Sequence, residues 1–213
     1  MNVRRRSTDG DQAEIRCSPT KKRASIGQDC KMEWMTEIGL GLDHDTLRLD
    51  RTSQAWIDAG TRLRHGVARL LGGTVIGVEQ IGSSSVLTLL AKPVIDIAVA
   101  LGDEGEFSAV RDHLEAAGWM YRGDAGANGG HVFVLETKPW HRVAHLHVVD
   151  HDGEQWRNYL LLRNLLRRSS TARARYELVK QQLVGEFGDD RKAYTAGKTN
   201  VVKMLLDEAD NAT

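Results

Sequence analysis

The sequence predicts an α/β (α+β) protein in which β-rich runs lie between one early helix and a helical C-terminal part. Three observations carry this reading. Within residues 54–71, Trp56, Leu63, Val67, Leu70 and Leu71 fall near helical spacing. Residues 74–149 hold short runs rich in Val, Ile and Leu, the most β-like being Pro93–Leu101. From Glu154 onward the apolar residues return to the helical period.

The first helix ends where Gly72-Gly73 interrupts it. Thr74–Val78 then reads as a short strand, Gly82–Ser85 as a turn and Ser85–Ala91 as a short helix. In Pro93–Leu101 the apolar residues Val94, Ile95, Ile97, Val99 and Leu101 surround a single acid, Asp96. Phe107–Ala117 is amphipathic and stops at Gly118. Val132–Leu135 and Val143–Val149 read as strands, the first following a glycine-rich loop, Gly123–Gly130, and the second carrying His145 and His147. Three helices complete the chain, centred on Trp156–Leu166, Tyr176–Phe187 and Val201–Leu206.

Composition bounds the function. Hydrophobic residues at 41% and charged residues at 27% are ordinary for a globular protein, so a fully disordered chain is excluded. Lys+Arg and Asp+Glu each number 29, so whole-chain charge points to neither nucleic acid nor membrane. Eight bases and four acids fall in residues 1–31, which leaves the remainder mildly acidic. That segment lacks apolar periodicity and is expected to be a disordered basic tail, with the folded domain spanning 32–213. Nucleic acid is not an expected partner, since only Arg4–Arg6 and Lys21–Arg23 in the tail argue for it. Both cysteines, Cys17 and Cys30, also lie there, so neither a disulfide framework nor a cysteine zinc site holds the core. No apolar run approaches the roughly 18 residues a membrane span needs, and no apolar segment follows the basic start. A cytoplasmic location is expected.

The chemistry concentrates in Val78–Ala100. A glycine lets the backbone approach a ligand closely, and unpaired N–H groups at a following helix start suit phosphate. Ser83, Ser84 and Ser85 add hydroxyls. An acid in an apolar strand is costly unless it is paired or holds a cation, so Asp96 is a candidate site residue. Lys92, just before that strand, can neutralise phosphate as a point charge. His145 and His147 lie two apart on one strand and therefore share a face, where either serves as a metal ligand or base. Asp124 is equally suited to an acceptor contact and to capping a turn. Trp140, beside Pro139, is the tryptophan best placed for stacking.

A hydrophobic-Gly-Ser turn followed by an acid on the next strand resembles the DNA polymerase beta-like nucleotidyltransferases. Within them, Glu79-Gln-Ile-Gly-Ser-Ser-Ser-Val and Ala91-Lys-Pro-Val-Ile-Asp-Ile resemble the GrpB-like family. The likeness continues through Tyr121-Arg-Gly-Asp-Ala-Gly126, His145-Leu-His-Val-Val149, Trp156, Arg157, Arg163, Tyr176, Lys180, Arg191, Tyr194 and Lys198. It runs from about Leu40 to about Glu208 and omits the tail.

The resemblance implies a nucleotidyltransferase-type mixed sheet flanked by helices. It implies a nucleoside triphosphate substrate, ATP being the expected one, with Mg²⁺ or Mn²⁺ and a small-molecule acceptor. The implied roles are phosphate binding for Gly82, Ser83, Ser84 and Lys92, cation binding for Asp96, and base or metal ligand for His147. Tyr194 and Lys198 are implied to complete the nucleotide pocket. Four positions depart from the family pattern: Ala98 replaces the second carboxylate, Gln80 a usual His, and Leu87-Thr88 a usual Pro-Gly. An alternative reading is therefore a nucleotide-binding or interaction module that has lost catalysis.

Overall fold

The structure is a computed structural model and describes residues 32–126 and 130–211. A short helix α1 (Glu33–Glu37) precedes two brief strands, β1 (Leu42–Asp43) and β2 (Asp50–Arg51). Helix α2 (Gln54–Leu71) starts at Ser53, whose hydroxyl accepts the Trp56 N–H. Strands β3 (Gly77–Ile81), β4 (Leu90–Ala91) and β5 (Ile95–Leu101) follow, then α3 (Phe107–Ala116). Three further strands, β6 (Met120–Asp124), β7 (His131–Lys138) and β8 (His141–Asp150), complete the β part. The chain ends in α4 (Glu154–Arg168), α5 (Ser170–Phe187), α6 (Arg191–Gly197) and α7 (Thr199–Asp210).

The main sheet has the order β3-β5-β8-β7-β6, with β1 added at one end of β8. β5 and β8 run parallel and the other pairs antiparallel, so the sheet is mixed. Alternation sets its two faces. Ile95, Ile97, Val99 and Leu101 of β5 join Leu146 and Val148 of β8 in a core closed by Trp56, Val67 and Leu71 of α2 and Val110 and Leu114 of α3. The opposite face carries Asp96 and Ala98 and is met by α4, where Trp156 packs on Gly77. A second core joins Val86 and Leu89 to Leu165, Leu166, Tyr176, Val201 and Leu205 of the C-terminal helices. Among the described residues no helix is long and apolar enough to cross a membrane.

Several sequence expectations need correction. Ser85–Ala91 is not a helix. A single 3₁₀ turn spans Ser83–Ser85, Val86 is extended and Thr88 has φ +65°. Pairing wins over local propensity here: Leu90-Ala91 pairs with Asp50-Arg51, while the Thr52 N–H reaches Leu89 and the Thr88 N–H reaches Thr52. The Thr74–Val78 strand is displaced to Gly77–Ile81, because a 3₁₀ turn at Gly72–Thr74 uses up its start. Strand β6 and helix α6 have no counterpart in the sequence reading; β6 takes in the first two residues of the expected glycine-rich loop. Residues 127–129 of that loop and the basic tail at 1–31 lie outside the described residues.

Candidate functional site

Asp96 sits at the second position of β5, opposite Ile81 of β3 on one side and His145 of β8 on the other. Its face is set by the strand: Ile95 and Ile97 go to the core, so Asp96 goes to the face under the C-terminal helices. The Gly82 turn abuts it. Gly82 has φ +70° and ψ −175°, and a Cβ there would lie 2.5 Å from Asp96 Oδ2. Glycine is thus required twice, by backbone conformation and by space.

The turn closes on itself through the Ser85 and Val86 N–H groups, which donate to the Gly82 and Ser83 carbonyls. That leaves the amides of Ser83 and Ser84 outside its internal bonding. The three-residue 3₁₀ turn is too short to offer the helix dipole that the sequence reading expected there. Ser84 is buried with its hydroxyl lacking a hydrogen-bond partner, and its carbonyl accepts from Gln80 Nε2 at 3.3 Å.

His145 and Asp96 are in contact, with Nδ1 3.3 Å from Oδ1. Burial pushes the Asp96 carboxyl up, but the hydrogen bond from His145 and the charges of His145, His147 and Lys198 outweigh it and hold it below its ordinary value. Asp96 is therefore ionised at neutral pH. His147 lies one step further along β8, beside Ala98, with its ring centroid 5.5 Å from that of Tyr159. Burial raises the Tyr159 hydroxyl to about 12, so it stays a donor. The position beside Ala98 on β3 is Glu79, which faces the same way, but its carboxylate is held by Arg163 at 2.7 Å. Among the described residues, the carboxylate paired across from Ala98 on β3 is therefore already engaged.

Cations gather above this face. Lys180 of α5 is 1% exposed, donates to Ser83 Oγ at 3.2 Å and to the Leu90 carbonyl, and lies 4.4 Å from the Tyr176 ring centroid. Lys92 and Lys198 lie 4.4 and 4.9 Å from the ring centroid of buried Tyr194. None of these three lysines pairs with a carboxylate among the described residues. Burial, reinforced by Lys198 and Arg191, lowers Lys92 to about 7 against the opposing pull of Asp96. Burial and the Lys198 charge likewise lower Lys180 to about 7. The three lysines thus lie within reach of one another's charge, with Lys180 against the glycine turn and Lys92 and Lys198 about Tyr194.

Asp96, Gly82, Ser83, Lys92, Tyr194 and Lys198 are thus linked through direct contacts or through charges felt at Asp96. His145, which the resemblance did not single out, touches Asp96, and the charge of His147 is felt there too. Lys180, named from the sequence only as part of the family likeness, occupies the buried stripe Ala172-Tyr176-Lys180-Leu183 of α5. That helical spacing was the signal available for it. Tyr159 carried none. Trp140 stands apart with a 61% exposed side chain, stacking edge-on with His44. Asp124 caps the turn at the Gly126 N–H. No group of three or more His, Cys, Asp or Glu side chains poised to hold a metal exists among the described residues.

A mixed sheet with a glycine–serine turn against an acid on the neighbouring strand, overlaid by C-terminal helices, defines a nucleotidyltransferase-like α/β domain. The model of the GrpB protein family matches residues 46–208, and the chain belongs to that family. A UPF0157 protein of Streptomyces coelicolor is 34% identical over 176 residues, covering 83% of this chain and 86% of the relative. The glutamate-rich protein GrpB of Alkalihalophilus pseudofirmus is 26% identical over 174 residues, covering 79% of this chain and 99% of the relative. The crystal structure of the conserved protein GrpB from Enterococcus faecalis superposes with a TM-score of 0.67 at 27% identity, covering 76% of this chain and 96% of that one. A structure of the Cid1 poly(U) polymerase is a looser match, with a TM-score of 0.46 at 11% identity, too slight to carry over a reaction.

Proposed function

We propose that the protein binds a nucleoside triphosphate at the Gly82–Asp96 cleft and transfers its nucleotidyl group to a small-molecule acceptor. The observation that carries this reading is that Lys180 reaches Ser83 of the turn that abuts Asp96, while Lys92 and Lys198 flank Tyr194 close enough for their charges to be felt by Asp96 or Lys180. The Ser83 and Ser84 amides and the three lysines receive the phosphates, and the nucleoside lies toward Tyr194. A Mg²⁺ or Mn²⁺ ion carried with the triphosphate supplies charge neutralisation. Asp96 offers it a single carboxylate, which fits an ion that keeps phosphate oxygens and water rather than a resident cage.

In the reaction an acceptor oxygen bonds to the α-phosphorus while the bond to the β-phosphate bridging oxygen breaks, and pyrophosphate leaves. A hydroxyl acceptor gives up its proton, for which His147 is the base. A carboxylate acceptor has none to give and yields an acyl-adenylate, which an amine can then capture as an amide. The lysines stabilise the charge that builds on the departing pyrophosphate.

A second reading, a nucleotide-binding module without catalysis, draws support from Ala98 and from Glu79 being held by Arg163. Pyrophosphate release, measured with ATP and the other nucleoside triphosphates, with Mg²⁺ or Mn²⁺ and a panel of hydroxyl and carboxyl acceptors, separates the two. Release that is acceptor-dependent and lost in Asp96→Ala supports transfer. Binding without release supports the module. Transfer to an RNA end in place of any small molecule would overturn the acceptor class.

A further inference from the structure

Away from Asp96, the turn that begins at Gly82 ends in the wall of a second cleft. This cleft of about 420 Å³ is lined by Ile57 of α2, by Ser85, Val86 and Leu87, and by Arg167 and Arg173. A polar extension of about 250 Å³ shares Arg167 and continues between Arg64 of α2 and Arg163 of α4. The two together hold four guanidinium groups and one carboxylate, that of Glu79.

Each arginine is held in place by main-chain oxygens. Arg167 donates twice to the Ser85 carbonyl, at 3.2 and 3.0 Å. Arg173 donates to the carbonyls of Leu166 and Arg167. Arg163 bridges Glu79 and the Gln80 carbonyl, and Arg64 reaches the Val78 carbonyl at 3.4 Å. Carbonyls satisfy donors but do not cancel charge. Arg64, Arg167 and Arg173 pair with no carboxylate among the described residues. Arg167 and Arg173 therefore line one cleft without an ion pair, Arg64 stands in the adjoining polar end, and guanidinium geometry matches carboxylate or phosphate. The other end is apolar: Val86 is buried, and Leu87 presents a side chain 46% exposed. The volume is that of a small-molecule site.

We propose that this cleft binds a small amphipathic anion, its carboxylate or phosphate head held by Arg167 and Arg173 and its apolar part lying on Ile57, Val86 and Leu87. Glu79, which shares the face of Asp96, lines only the polar end, and binding at Arg167 and Arg173 does not depend on nucleotide chemistry at Asp96. Because Arg167 holds the Ser85 carbonyl and the Ser85 hydroxyl holds that of Gly82 at 2.6 Å, occupancy bears directly on the turn.

The test uses the full chain, ¹⁵N-labelled, titrated separately with octyl phosphate, octanoate, octanol and inorganic phosphate while the Ser85–Leu87 amides are followed by NMR. Saturable shifts are expected from octyl phosphate or octanoate, and the tighter of the two identifies the head group. Arg173→Gln weakens that binding about tenfold or more, the usual effect of losing a charge-assisted hydrogen bond. Leu87→Ser, at an exposed side chain that folding does not need, weakens the octyl ligands but not inorganic phosphate. Asp96→Ala leaves all of these shifts unchanged. The proposal is overturned if neither anion gives saturable shifts, if octanol binds as tightly as the anions, or if Arg173→Gln and Leu87→Ser both bind like the wild type.

Discussion

The carboxylate of Asp96 occupies the space that a side chain at Gly82 would need, with Oδ2 2.5 Å from the position of a Cβ at residue 82. One contact thus ties the glycine of the turn to the acid of the next strand. It also brings Asp96 to the side on which Lys180 reaches Ser83.

Gly82→Ala meets two penalties there. The backbone at φ +70° and ψ −175° lies in a region that only glycine enters freely, and the new methyl collides with Asp96. Strain and overpacking together should cost about 2–4 kcal/mol in urea unfolding. Adding Asp96→Ala should restore part of that loss by removing the collision but not the strain. Full restoration would show that the backbone tolerates alanine; none would show that the two residues are not in contact.

Nucleotide binding should depend on a divalent cation through Asp96. In titration calorimetry with ATP, wild type should bind more tightly with Mg²⁺ or Mn²⁺ than without. Asp96→Ala should lose that difference and about tenfold or more of the affinity. Ala98→Asp should strengthen Mg²⁺ dependence, because carboxylates at i and i+2 share a face. Equal binding by wild type and Asp96→Ala with or without metal would remove Asp96 from the nucleotide site.

Protons should accompany the triphosphate. Lys92 and Lys180 are lowered by burial to about 7, below the ordinary 10.5, so the folded apo-protein binds fewer protons than the unfolded chain between these values. Stability should therefore rise with pH from about 7 toward about 10.5, the sign for a depressed lysine. A bound polyanion favours the charged lysines, so binding above pH 7 should take up protons and weaken as pH rises. Calorimetry in buffers of different ionisation enthalpy reads the uptake directly. Lys180→Met should flatten the stability slope and reduce the uptake; an unchanged slope would place Lys180 outside the linkage.

His145 should govern the ionisation of Asp96. Burial alone would raise the carboxyl, and His145 supplies both a hydrogen bond and a charge against it. In His145→Ala the carboxyl should titrate at higher pH than in wild type, seen in the ¹³C shift of the Asp96 carboxylate. The stability that Asp96 contributes as an anion should then fade at less acid pH. The charge of His147 acts on Asp96 more weakly than the hydrogen bond and charge of His145, so the shift in His147→Ala should be smaller. The reverse ranking would make His147 the partner of Asp96.

Much of this protein could be read from the sequence because it is local. The period of Trp56 to Leu71 sets the buried side of α2, and the alternation of Ile95, Ile97 and Val99 puts Asp96 on the opposite face of its strand. The Gly82–Ser85 turn and the three long C-terminal helices follow from the same local rules. What tertiary structure alone decided depends on groups far apart in the chain. Leu90-Ala91 gave up a helix to pair with Asp50-Arg51. His145 met Asp96 because β5 and β8 run parallel in one register, which no spacing within either strand reveals. Lys180 reached the glycine–serine turn by packing against a serine 97 positions away. Periodicity states which way a side chain faces; the charge and packing it finds there depend on which elements the fold brings over it.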